Sequence, residues 1–308
     1  MTKNSISIEE LDVSHCLRKE FTLNIIQSLI RDRFAINLIG EKGTGKTRLL
    51  EDIQKCILPG TILVNVNLKS YVNNYSGLMR EIHRQLELEG EVPERLDKLF
   101  YGLEKQPLHS LVFLDNYDAL LDNTKMNGKY DKDFFDDLNF INNKDNVSLL
   151  CTNCRPHNTL LVFIEGESYG NSWLTLGKYN LPELTRIQII DEFERQLKKN
   201  GRMWLKSSPD DKELLLGCIH QQPLPYYRLC FLAGKLKNQT YEEAEFEFKK
   251  RLKRWMRDFK RQIKYSVDKK LHSIKTRAKS TVIASGLDKV KIPFFSDISK
   301  FIKKKLGL

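Results

Sequence analysis

The sequence predicts an α/β protein: a parallel five-stranded sheet with covering helices, then a small helical domain, then a basic, amphipathic helical C-terminal extension. Three observations carry this. Short apolar runs near residues 35, 62, 111, 148 and 174 alternate with stretches of helical spacing, the pattern of a parallel sheet with crossover helices. A glycine-rich turn, Gly40-Glu41-Lys42-Gly43-Thr44-Gly45-Lys46-Thr47, joins the first of those runs to a helix. The charge is also uneven, since Tyr241–Leu308 holds 20 Lys/Arg against 8 Asp/Glu. That net of +12, set against +11 for all 308 residues, leaves residues 1–240 at −1.

The first strand is Phe34-Ala35-Ile36-Asn37-Leu38-Ile39, an apolar, β-leaning stretch. The turn after it reads G-x-x-x-x-G-K-T, the phosphate-binding P-loop, and Leu49, Leu50, Ile53 and Cys56 then give the following helix its apolar face. Strand, glycine loop and helix in that order make the pattern a site. Gly40, Gly43 and Gly45 let the backbone fold close around phosphate oxygens and, with Thr44, turn successive N–H groups inward. The helix start adds its partial positive charge. Lys46 is predicted to reach the β- and γ-phosphates of ATP, and the Thr47 hydroxyl to ligate Mg2+.

Thr61-Ile62-Leu63-Val64-Asn65-Val66-Asn67 is the next predicted strand, and Ser76 to Leu88 the next helix, with Leu78, Met79, Ile82 and Leu86 on one side. Ser110-Leu111-Val112-Phe113-Leu114-Asp115 has the Walker B form: a buried strand delivering a carboxylate at its C-terminal tip to hold Mg2+, directly or through water. Asn116 follows, and its amide cannot act as a base. Asp118 is placed either to polarise a water or to cap the next helix. Nucleotide binding with slow or partner-stimulated hydrolysis is the expectation. The polar loop between Asp122 and Asp133 reads as solvated. A further strand, Val147-Ser148-Leu149-Leu150-Cys151, ends in the polar tip Thr152-Asn153-Cys154-Arg155.

These motifs, in this order, resemble the AAA+ and closely related STAND-type ATPases, in the region shared by archaeal-type ATPases, Orc/Cdc6-like initiators and TnsC/TniB-like transposition regulators. The resemblance covers roughly residues 15 to 237. Leu17-Arg18-Lys19-Glu20 and the helix after it resemble the R-x-x-E-l helix that opens such domains. Leu181-Pro182-Glu183-Leu184-Thr185 resembles the junction after the fifth strand, where a helical lid begins. Gln222-Pro223-Leu224-Pro225-Tyr226-Tyr227-Arg228-Leu229 resembles the lid's own motif, with Gln222 in place of the usual small residue or His. The resemblance implies an additional-strand P-loop core and a sensor-1 residue at the tip after Walker B, Asn153 first and Arg155 second. It also implies a sensor-2 arginine at Arg228, although the same Arg on a lid surface fits equally. Many of these ATPases carry Glu where this chain has Asn116.

Beyond the lid, Asn238-Gln239-Thr240 reads as a linker and N-cap for one long helix to about Lys279. Phe248, Leu252, Trp255, Met256, Phe259, Ile263, Val267, Leu271 and Ile274 recur at three- and four-residue steps as one stripe, and Lys and Arg fill much of the rest. Ile292 to Leu306 gives a second, shorter amphipathic helix. A stripe packed on the lid or on a neighbouring subunit, a basic face on DNA or RNA phosphates, an anionic membrane surface and a protein partner all fit this pattern.

Composition bounds the rest. No apolar run reaches transmembrane length, and the N-terminus carries no signal-peptide-like apolar region. Cys16, Cys56, Cys151, Cys154, Cys218 and Cys230 fall mostly in predicted helices and strands, which points to free thiols in a reducing cytoplasm. Cys151-x-x-Cys154 lacks the second pair of ligands a zinc knuckle needs. The expected organisation is a P-loop core over 1–180, a helical lid over 181–238 and a basic extension over 239–308. The expected function is an ATP-dependent switch or assembly regulator, self-associating or partnered and acting on nucleic acid. The other reading is a signalling or scaffold protein whose tail binds a membrane or an effector protein.

Overall fold

The computed structural model describes residues 11–57, 60–101, 109–121, 123, 125–144, 146–156, 159–164, 167–170, 174–199, 209–222, 224–235, 243, 246–251, 253–254 and 257. The chain forms two compact units, Met1–Ala244 and Glu245–Leu308.

The first unit opens with helix α1 (Lys19–Ile30), strand β1 (Ile36–Ile39) and helix α2 (Lys46–Cys56). Strand β2 (Ile62–Asn67), helix α3 (Tyr75–Gln85) and helix α4 (Leu96–Tyr101) follow. Next come strand β3 (Ser110–Asp115), helix α5 (Lys132–Asn142) and strand β4 (Val147–Asn153). A short antiparallel hairpin, β5 (Leu161–Ile164) with β6 (Glu167–Gly170), precedes strand β7 (Gly177–Asn180). Helices α6 (Arg186–Lys199), α7 (Pro209–Ile219) and α8 (Pro225–Lys235) complete the unit.

The sheet order is β2-β3-β4-β1-β7, and every pairing in it is parallel. The central strands β3 and β4 are buried along their whole length, which explains why they read as continuous apolar runs rather than alternating ones. One face packs on α1 and α2 through Ile25, Ile26, Leu29, Leu49, Leu50 and Ile53, which meet Ile36, Leu38, Phe113 and Leu150 of the sheet. The other face packs on α3, α4 and α5, where Met79, Ile82, Leu99, Phe134 and Phe135 meet Val64, Val66, Leu114, Leu149 and Cys151. Side chains of β3 and β4 therefore alternate between two cores, and this alternation decides which tip residues face the P-loop helix.

Helix ends follow local chemistry. The Asn74 side chain accepts the Gly77 N–H at 2.9 Å to cap α3, and Asp131 accepts the Phe134 N–H at 3.1 Å to cap α5. The helix predicted over Ser76–Leu88 stops at Gln85 because Glu87 turns left-handed, at φ 51°. The fifth strand forms at Gly177–Asn180 rather than around 174, where Leu174 and Leu176 are buried in the second core instead. Neither α4 nor the hairpin was legible in the sequence, since both are short and only partly apolar.

Helices α6, α7 and α8 have their own core of Ile189, Phe193, Leu197, Leu215, Ile219, Leu229 and Leu232. In the second unit, the described residues 246–251, 253, 254 and 257 are helical. Phe248 is buried there, and Lys249, Lys250, Arg251, Lys253 and Arg254 are exposed, as the predicted stripe and basic face require. The rest of the predicted long helix, and the second one over Ile292 to Leu306, lie outside the described residues.

Candidate functional site

The tips of β1, β3 and β4 and the start of α2 meet at one end of the sheet. Gly43 and Gly45 sit at φ +75° and +98°, conformations that an L side chain strains to adopt. The Lys46 ammonium curls under this loop and donates to the carbonyls of Gly40 at 2.5 Å and Glu41 at 3.1 Å. Thr44 closes the turn by donating to Glu41 O at 2.7 Å. The loop is also tied to β4, because the Gly40 N–H donates to Asn153 O at 3.0 Å.

Thr47 and Asp115 come together as the sequence predicts: the Thr47 hydroxyl donates to Asp115 Oδ2 at 2.9 Å. Asp115 is 3 % exposed, and its other oxygen accepts the Thr152 hydroxyl at 2.6 Å. Asn116, left-handed at φ 55°, donates its side-chain amide to Asp115 Oδ2 and to Asn67 Oδ1, each at 3.1 Å. Asn is among the few residue types that take this conformation readily. Asp118 is not a cap: its Oδ2 accepts the Cys154 N–H at 3.0 Å and pins the end of β4.

The predicted sensor residues separate. Asn153 is fully buried on the sheet face away from α2, beside Asn37, to which its side-chain amide donates. Arg155 is exposed beyond the strand end. Arg228 is buried in the helical bundle, where Nη1 donates to Cys218 O at 2.7 Å. Cys151 faces the core and Cys154 is exposed, so this pair makes no joint site. Cys154 Sγ does lie 3.8 Å from Lys46 Nζ.

Sequence reasoning missed the cavity role of Arg18, Thr152 and the bonding of α8 to the loop. Arg18 is 3 % exposed; Nη2 donates to Thr44 O and Nε to Pro182 O, each at 2.9 Å. Burial lowers its pKa from the usual range to about 10, which still leaves a cation at neutral pH. Its signal in the sequence was the run Leu17-Arg18-Lys19-Glu20, whose resemblance is to a helix start and not to a cavity. The N–H groups of Tyr226 and Tyr227, at the start of α8, donate to Gly43 O at 2.9 and 3.1 Å.

A second buried network ties the same elements together. Arg48 on α2 is ion-paired to Asp52 and lies 3.5 Å from Glu192 on α6. Burial works against its charge, but Glu192 and Asp52 outweigh burial and push its pKa up. Arg195 donates to Glu192 at 2.8 Å, and Tyr226 reaches Glu192 at 3.4 Å.

Between the sheet tips and the bundle lies a cavity of about 720 Å³, lined by Arg18, Gly40, Thr44, Pro182, His220 and Gln222 among others. That volume suits a nucleotide-sized ligand, since small-molecule sites run ~300–1,000 Å³. The groups that adjoin it fit as well: Lys46, bonded to the lining residue Gly40, and the loop amides for phosphate, and the Thr47 hydroxyl with the Asp115 carboxylate for a hard divalent cation.

The family model described as "ATPase family associated with various cellular activities (AAA)" matches residues 36–200, from β1 to the end of α6. No curated protein matches the chain. Among solved structures, Drosophila ORC bound to DNA superposes with a TM-score of 0.51 at 15% identity, over 74% of this chain and 63% of that one. Cdc6p from Pyrobaculum aerophilum gives 0.48 at 16%, over 70% and 59%, and C. elegans PCH-2 gives 0.46 at 13%, over 77% and 69%. The chain thus spans less than two thirds of the first two structures, and at 15% identity the likeness to the first shows the fold alone.

Proposed function

This chain belongs to the AAA family of ATPases, and we propose that it is an ATP-dependent switch that controls a partner machine, with nucleic acid as the target. The observation that carries the switch is the direct bonding of helix α8 to the P-loop carbonyl of Gly43, beside a nucleotide-sized cavity that Gly40, Thr44 and Pro225 line. A ligand that seats phosphate in the loop must work against, or rearrange, the bonding that positions the bundle. ATP then biases the bundle only as far as it binds one position better than another.

In this reading residues 1–180 are the core, 181–238 the lid and 239–308 an extension that binds anions. Lys46 and the loop amides hold the phosphates, Thr47 and Asp115 hold Mg2+, and Arg18 meets the bound nucleotide from the side. Bound Mg2+ supplies charge neutralisation at the phosphates. Asn116 orients Asp115 without serving as a base, so turnover is slow until a partner completes the site. Asn153 and Arg155 remain candidates to sense the γ-phosphate, and Arg228 does so if the bundle moves. The extension, at +12 across Tyr241–Leu308, suits DNA phosphates, and six cysteines outside any disulfide suit a cytoplasmic setting. No helix among the described residues is long and apolar enough to cross a membrane.

Sedimentation of the wild type and of Lys46→Ala, with and without ATP–Mg2+ and with and without duplex DNA, tests this. The expected result is ATP-dependent assembly on DNA that Lys46→Ala abolishes. ATP binding with no assembly and no DNA shift would falsify the nucleic-acid reading, and tail binding to anionic vesicles or to an effector protein would take its place.

A further inference from the structure

Away from the P-loop, at the far end of α2, three metal-ligating side chains meet. Cys16 Sγ and Cys56 Sγ are 3.6 Å apart, and His15 Nε2 lies 3.6 Å from the first and 3.7 Å from the second. Both thiols are buried and the histidine is half-buried. Neither cysteine is disulfide-bonded, and 3.6 Å is far beyond the ~2.05 Å of such a bond.

The dimensions discriminate between explanations. Buried cysteines often pack as small apolar groups, which accounts for two thiols in a core. It does not account for an imidazole nitrogen nearly equidistant from both sulfurs. A tetrahedral Zn2+ with bonds of ~2.3 Å to sulfur and ~2.0–2.1 Å to nitrogen has ligand–ligand edges of ~3.5–3.8 Å. The three observed separations all fall in that range. The ligand chemistry agrees, because two thiolates and an imidazole select a thiophilic d10 ion over Mg2+ or Ca2+.

We propose that His15, Cys16 and Cys56 form a binding site for Zn2+, with a fourth position left to water or to the Asp12 carbonyl, whose oxygen is 3.7 Å from Cys56 Sγ. Binding displaces the two thiol protons to solvent. His15 Nε2 also lies 3.3 Å from Asp52 O, a contact that only the Nε2–H tautomer bonds, so ligation gives up that bond and moves the ring proton to Nδ1. The site fastens the segment before α1 to the C-terminal end of α2. The same segment carries His15 O, which accepts Arg48 at 3.1 Å and Arg195 at 2.8 Å, and Arg18, which lines the nucleotide cavity. Zn2+ therefore holds in place the strut that presents Arg18.

The test uses Co2+ as a spectroscopic probe on the full chain, purified reduced and metal-free, and it is independent of nucleotide and DNA. The expected result is a thiolate-to-cobalt charge-transfer band with the visible bands of a tetrahedral ion, saturating at ~1 equivalent and displaced by Zn2+. Cys16→Ser and Cys56→Ser should each remove most of the charge-transfer intensity, and the exposed Cys154→Ser should leave it unchanged. His15→Gln, at a half-buried position, should weaken Co2+ binding by at least the ~10-fold that even an outer-shell loss produces. Circular dichroism checks that each variant is folded. The absence of the band in the wild type overturns the proposal, as does a band of undiminished affinity in folded His15→Gln or one that disappears in Cys154→Ser.

Discussion

Thr152 shows how much a single hydroxyl decides at this site. It donates to Asp115 Oδ1 at 2.6 Å and accepts the Asn116 N–H at 2.9 Å, so it fixes both the carboxylate and the left-handed residue after it. Thr152→Val keeps the shape and removes both bonds. An orphaned buried partner costs ~1–3 kcal/mol, expected here as a lowered melting temperature and weaker Mg–ATP binding by calorimetry. At the opposite end of the sheet, His109 meets the Ser148 hydroxyl at 3.1 Å, and burial, helped by nearby Arg33, holds its pKa below the ordinary value. The folded state then binds fewer protons than the unfolded one between that lowered value and ~6.5. Stability is whole above ~6.5 and declines as pH falls toward the folded value, so it rises with pH across this window. Urea melts over the window should show that slope in the wild type and a flatter one in His109→Gln.

At the scale of elements, the question is what holds the helical bundle against the sheet. One junction is at the loop, where a Cβ added to Gly43 would come within 2.8 Å of Leu224 Cβ while φ stays at +75°. Gly43→Ala is expected to cost ~1–2 kcal/mol at the left-handed position alone, and so to weaken ATP binding by ~10-fold or more. Gly217→Ala on α7 is the control: nothing lies within 4 Å of its added Cβ, and it should be neutral or slightly stabilising. The other junction is Arg48 between Asp52 and Glu192. Arg48→Met leaves buried Asp52 without its cation and Glu192 with Arg195 alone, a change that costs ~3–5 kcal/mol and is read directly in urea unfolding. The pair's value lies in the positioning of α6 on α2, since burial alone disfavours all three charges.

For the whole molecule, charge asymmetry sets the expectation. A near-neutral ATPase body with a +12 extension should bind DNA with a steep salt dependence, the logarithm of affinity falling linearly with that of salt. Combined Lys250→Ala, Lys253→Ala and Arg254→Ala should weaken binding across all sequences, with ATP affinity unchanged. The salt slope should become shallower by ~1 for each phosphate that the variant no longer neutralises. Fluorescence anisotropy over a salt series measures both quantities. A flat salt response would instead indicate apolar docking of the tail.

The residues that announce themselves in the sequence are those whose role depends on short-range chemistry. The P-loop glycines, Lys46, Thr47 and the apolar strand ending in Asp115 are fixed by local geometry and by burial on both sheet faces, so pattern and spacing were enough to place them. The alternation of β4, by contrast, chooses between Thr152 and Asn153, and that choice depends on which face receives α2. Arg18, Glu192 and Tyr226 join the site from elements up to ~200 residues apart, and the His15, Cys16 and Cys56 triangle closes across 40 residues. Such meetings come from layers packing around a common core. A one-dimensional pattern records which face of each element is apolar, but only the packed structure determines which polar residues those faces bring together.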